Sequence, residues 1–205
     1  MRISAALAAA FWLSGTGVSQ AAVTDNMWPT ANLGGSCHDR ADGTDGTLAC
    51  QTDNATVTYY MDSGGADKLE SDDRSIVSNM LTSQYAPTDL TITYDSTPSF
   101  SGASETDIVY QESSTNVASS VNGVTWCNDA ADTLRCDQQY IRIRPTHYSP
   151  GLSCHETGHA VGLTHGNSAS PKLSKTDVRL GCLQTPVEFA SSLGANNKEN
   201  INATY

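Results

Sequence analysis

Eleven residues constrain this chain more than any other stretch. His155-Glu156-Thr157-Gly158-His159-Ala160-Val161-Gly162-Leu163-Thr164-His165 reads H-E-x-x-H-x-x-G-x-x-H. His155 and His159 are four apart, so on a helix they project from one face, one turn above the other. The flanking residues predict that helix: Ser149 is a suitable N-cap and Pro150 suits the first helical position. Leu152 and Ala160 continue it, and Gly162 can end it, because glycine accepts a positive φ that other residues resist. The chain can then swing back and deliver His165 from another direction.

Three neutral imidazoles that meet can hold one zinc ion and leave its fourth position open for water. Such an ion lowers the pKa of that water to about 7. Glu156 follows the first ligand and can approach the water without binding the metal. It is the candidate general base, taking a proton as a peptide carbonyl is attacked and passing it to the leaving nitrogen. The plain alternative is a surface helix with coincidental histidines. The five fixed positions should coincide by chance in about one chain in 10⁵ at average residue usage. Three of the five histidines of the chain fall in this segment, so the metal site is the working expectation.

The N-terminus has the layout of a secretory signal peptide over residues 1–21. Met1-Arg2 is a basic start, Ile3 to Leu13 is largely apolar, and Ser19-Gln20-Ala21 offers small residues for cleavage. The apolar run is too short to span a bilayer, which takes about 20 apolar residues. Residues 22–205 would form one domain. The sequence holds 11 basic and 22 acidic residues; Arg2 is the only charge in the leader, so the remainder carries 10 against 22, a net of −12. Such a surface repels nucleic-acid phosphates and anionic lipid. A secreted, extracellular monomer is expected, with no nucleic-acid partner and no membrane span. Cys37, Cys50, Cys127, Cys136, Cys154 and Cys182 make an even set, and an oxidising compartment makes disulfides the default. Six cysteines allow 15 connectivities. Short loops favour Cys37–Cys50 and Cys127–Cys136, which leaves Cys154–Cys182. No C-x-x-C spacing suggests a cysteine zinc site.

Along the chain, residues 22–50 read as irregular. Thr56 to Met61, Leu90 to Tyr94, Thr106 to Gln111 and Tyr140 to Arg144 read as strands. Asp67 to Tyr85 places Leu69, Ile76, Val77, Met80, Leu81 and Tyr85 on one stripe and predicts a core-packed helix. Residues 113–122 read as loop and Cys127 to Cys136 as a stapled loop. After His165 the chain is polar and broken by prolines and glycines, with one weak helical stretch near Val187 to Leu193.

His155 to His165 resembles the zinc signature of the metzincin metalloproteases. The resemblance is sharp over these eleven residues, and the order of elements before them is compatible. It implies an α+β zincin fold: a twisted, mostly parallel mixed sheet with one antiparallel edge strand, a backing helix and a zinc helix. It also implies a cleft between an N-terminal subdomain reaching to about residue 165 and a small irregular C-terminal subdomain over 166–205. The implied activity is that of a zinc-dependent endopeptidase, of the small secreted reprolysin-like form, acting on a peptide or protein substrate. Asp107 to Gln111 is the candidate for the edge strand that adds substrate to the sheet. The family carries a methionine in a turn beneath the zinc, and here all four methionines precede the motif. Leu183 is the candidate to fill that place, with Leu173 second. A Cys154–Cys182 bridge would tie the zinc helix to that turn.

The weaker signals are few. His147 and His38 read as surface histidines. Asp39, Asp42 and Asp45 in a Gly-rich loop hint at calcium, but Cys50 stands where the closing Glu of an EF-hand belongs, so a solvated turn is the expectation. The rival to an enzyme is a catalytically silent zinc-containing secreted binding protein or inhibitor. An intact Glu156 argues against it, and the missing turn methionine argues for it.

Overall fold

β-branched and aromatic runs supply the strands of a twisted mixed sheet, and two helices cover one face of it. The computed structural model describes residues 23–102 and 104–205, so the leader expected over residues 1–21 lies outside them. In chain order the elements are β1 (Gln51–Thr52), β2 (Thr56–Met61), α1 (Ser71–Met80), β3 (Thr91–Tyr94), β4 (Ile108–Glu112), β5 (Gly123–Asp129), β6 (Arg135–Cys136), β7 (Gln138–Ile143), α2 (Pro150–Ala160) and α3 (Ala195–Thr204). One π turn, Leu81–Tyr85, extends α1, and a 3₁₀ segment, Val178–Leu183, precedes α3. The main sheet runs β3-β2-β4-β7-β5, with every pairing parallel except β5 against β7. β1 and β6 form a separate two-stranded ribbon. The fold is α+β, and among the described residues no helix is long and apolar enough to cross a membrane.

The stripe expected on the first helix is buried at Val77, Met80, Leu81 and Tyr85, and α1 packs beside α2. The main core joins Val57, Ile108, Tyr110, Ile141 and Ile143 of the sheet to Leu163, Leu180, Leu183 and Ile201 from the last third of the chain. Each such side chain contributes about 1.5–3 kcal/mol by leaving water. Three disulfides join Cys37 to Cys50, Cys127 to Cys136 and Cys154 to Cys182, and no cysteine is free. They fit an oxidising compartment. The first two sit together in a satellite core with Trp28 and Ala49.

The structure corrects three expectations. The antiparallel edge strand is β5, not Asp107 to Gln111; Ile108 to Gln111 belong to β4, which lies third of five with neighbours on both sides. The stapled loop from Cys127 therefore begins as the end of a strand. The helix expected near Val187 to Leu193 is absent there, and α3 lies further on, at Ala195–Thr204. Its inward face is built of Asn196, Asn197 and Asn200 around Ile201, so it offers no apolar stripe to read.

Candidate metal centre

Ser149 caps α2 as its sequence suggests: its Oγ accepts the Leu152 N–H at 3.1 Å, and Pro150 occupies the first turn. Every residue of α2 from Gly151 to Ala160 is buried. Below it, the Tyr85 hydroxyl donates to the Cys154 carbonyl at 2.6 Å, and the Tyr110 and Thr157 hydroxyls bond at 2.8 Å. Gln139 of β7 donates to the Ala160 carbonyl. The helix is thus fixed from both sides before any ligand is considered.

The chain leaves α2 through Val161 and Gly162, whose φ of +94° lies in the left-handed region. A Cβ on Gly162 would also stand 2.7 Å from Met27 Sδ. The turn returns the chain so that Leu163 N–H bonds Gly158 O at 2.7 Å, and His165 comes to face the helix.

The three Nε2 atoms converge: His155 to His159 at 3.2 Å, His159 to His165 at 3.2 Å, and His155 to His165 at 3.0 Å. His155 Nδ1 lies 2.7 Å from Cys182 O, and His159 Nδ1 lies 2.8 Å from Leu163 O. A carbonyl only accepts, so both Nδ1 atoms carry the hydrogen and both Nε2 atoms present lone pairs. Lone pairs facing one another at hydrogen-bond distance repel unless a cation lies between them. Tetrahedral zinc, with bonds of about 2.0–2.1 Å, sets its nitrogen ligands about 3.3 Å apart. The donor set therefore fits such an ion. Burial, reinforced by neighbouring imidazoles, lowers the pKa of His155 to about 4 and that of His159 well below the ordinary value. Burial lowers that of His165 too. All three are held neutral, as ligands must be.

The Glu156 carboxyl group lies against β5. The Thr125 hydroxyl donates to its Oε2 at 2.7 Å. Its pKa is raised to about 7, because burial disfavours the charge more strongly than the Thr125 hydrogen bond favours it. Glu156 and all three histidines line one cleft of about 280 Å³. Val121 to Gly123 form one wall and Thr185 to Val187 the other. A smaller hollow of about 200 Å³ continues past His159 and His165 beside Leu33 and Asn167.

Leu183 is fully buried and packs against Gly158 of α2, next to the carbonyl of Cys182 that holds His155. Leu173 lies beside the His165 loop instead, its N–H on Gly166 O at 2.8 Å. The Cys154–Cys182 bridge links α2 to the Leu183 segment. His147 and His38 are exposed and bond only nearby carbonyls. The three aspartates of the Gly-rich loop do not converge. Asp39 accepts the Ala130 N–H, and Asp42 pairs with Arg142 at 2.6 Å. Two residues of the site escaped the sequence reading. Nothing about Thr125 or Gly123 in isolation distinguishes them from ordinary strand residues; only strand pairing brings them to Glu156.

No protein-family model matches this chain, and no curated protein matches it.

Proposed function

We propose that this chain is a secreted zinc-dependent endopeptidase of metzincin type, with His155, His159 and His165 as ligands and Glu156 as general base. The observation that carries the reading is the convergence of three imidazole Nε2 atoms, two of them held as lone-pair acceptors by their Nδ1 bonds, beside a buried carboxyl group in one open cleft. Bound zinc supplies a Lewis acid that polarises a carbonyl and acidifies water. The rest is done by the chain. Cys182 O and Leu163 O orient the first two imidazoles and raise their basicity. Glu156, buried beside Thr125, would accept a proton from the attacking water and release it to the departing amine. Thr125 holds that carboxylate through Oε2. Val121 and Pro186 line the cleft in which a peptide would lie. Leu183 fills the space beneath α2 that the family gives to methionine, a volume-conserving exchange costing under about 1.5 kcal/mol.

The test is hydrolysis of an unfolded protein substrate. A chelator should abolish activity and zinc should restore it. Glu156→Gln should keep the metal and lose about 10²–10⁴ in turnover. A Glu156→Gln protein that still hydrolyses at the wild-type rate would overturn the role of that residue. A wild-type protein that holds zinc and cleaves nothing would instead support a silent binding protein.

A further inference from the structure

The loop that delivers His165 is held by a segment more than a hundred residues earlier. Asn26, fully buried, grips Thr164 at its main chain from both directions. Thr164 N–H donates to Asn26 O at 2.8 Å, Thr164 Oγ1 donates to the same carbonyl at 3.1 Å, and Asn26 Nδ2 donates to Thr164 O at 3.2 Å. Thr164 immediately precedes the third histidine. Asn26 is itself anchored. Its Oδ1 accepts from Asn196 Nδ2 at 3.2 Å and from Asn200 Nδ2 at 3.0 Å, both on α3. The same two amides hold Thr24: each donates to Thr24 O, and Asn196 Oδ1 accepts the Thr24 N–H at 2.7 Å. On either side of Asn26 the segment pairs with the same loop, at Met27 with Leu163 and at Asp25 with Ser170.

His165 needs this support more than the other two ligands do. His155 and His159 are carried by a helix packed on the sheet. His165 follows a glycine turn and has no element of its own. In a buried position each unmade polar bond is costly, so a fully satisfied network of amides defines one backbone position sharply.

We infer that Asn26 is the positioning residue for the third ligand: clamped by Asn196 and Asn200, it sets the backbone of Thr164 and so the reach of the His165 imidazole. This rests on the metal-centre reading above and adds to it a part of the molecule remote in sequence. Three segments, the first described residues, the histidine loop and the last helix, then act as one support for the site.

The experiment is zinc affinity of the whole protein, measured by chelator competition, with the visible spectrum of the cobalt-substituted protein as a second readout. Asn26→Ala removes the side-chain bond to Thr164 O and both bonds from α3 but keeps the two bonds to its main-chain carbonyl, and should weaken zinc binding by about 3- to 10-fold, the value of one buried hydrogen bond. It should also shift the cobalt bands away from a tetrahedral pattern. In a His165→Ala background the same substitution should change affinity by less than about twofold, because its route of action is gone. Gln138→Ala, which removes a buried amide at the far end of β7, is the control for general destabilisation and should leave affinity unchanged. If Asn26→Ala does not fold, Asn200→Ala removes one of the two amides on Asn26 Oδ1 and should show the same pattern at smaller size. Wild-type affinity in Asn26→Ala, or an undiminished effect without His165, overturns this inference and leaves the metal centre standing. A wild-type protein that binds no zinc overturns both.

Discussion

At Gly123 the edge of the sheet meets Glu156 with no side chain between them. A Cβ there would stand 2.5 Å from Oε1 and 2.9 Å from both Cδ and Cγ of Glu156. The carboxylate is enclosed, so it would have to turn away from its place beside Thr125. Gly123→Ala should therefore lower turnover on the order of 10²-fold, the cost of misplacing a reacting group by about an ångström. Zinc affinity should stay within a few-fold, since the imidazoles are positioned by Cys182 O and Leu163 O. Paired measurements of kcat and zinc affinity decide it; a parallel loss of both would mean that the substitution acts by unfolding the site. His155, Glu156 and His159 were legible as a spacing along one helix, and His165 through the glycine that ends it. Gly123, Thr125 and Asn26 were not, because their roles arise from contacts 31 to 174 positions apart in sequence.

At the scale of elements, the decisive pair is α2 and β5. α2 was readable from its cap, its proline and its terminal glycine, each of which acts within a few residues. β5 was not, for both of its faces are covered: Thr125 faces Glu156, while Trp126 packs the opposite way against Tyr140. That leaves no polar alternation to mark a strand. The outer edge of β5 is mostly taken as well. Leu48 N–H occupies Thr125 O at 2.9 Å and Arg40 N–H occupies Cys127 O at 2.8 Å, both from the loop closed by Cys37–Cys50. In an antiparallel strand alternate residues turn their main chain the same way, so Gly123 also faces outward, and it opens on the cleft. Under the proposed function, a peptide substrate adding to this edge of β5 would find one residue free, Gly123. N-methylation of the substrate amide opposite Gly123 should slow cleavage about 2- to 10-fold, the value of one hydrogen bond. Methylation further along toward Thr125 should leave the rate unchanged. A graded loss along several amides would show that the loop lifts off when substrate binds.

For the whole molecule, the site and the core are one structure. Leu163, Leu180 and Leu183, which flank or underlie the ligands, belong to the same apolar cluster as the sheet strands. Ligand placement is therefore coupled to global folding, and occupancy should appear as stability. Zinc at about 100 times its Kd should add about 2.7 kcal/mol. The melting temperature should rise with free zinc and fall with chelator, and His165→Ala should remove most of that response. A melting temperature indifferent to zinc and chelator would mean that the cluster does not hold the ion.

The one-dimensional pattern settled what depends on near neighbours: a capped helix with two imidazoles on one face, a glycine exit, a third imidazole three residues on, strands with β-branched alternation, and short cysteine loops. These follow from helical period, capping and backbone freedom, all of which act over a few residues. Tertiary structure alone decided which strand stands at the edge, that Thr125 and Gly123 flank Glu156, and that an asparagine network ties residues 24–26 to α3 and the histidine loop. Those outcomes depend on hydrogen bonds and packing between segments far apart in the chain, where residue type carries no record of the partner.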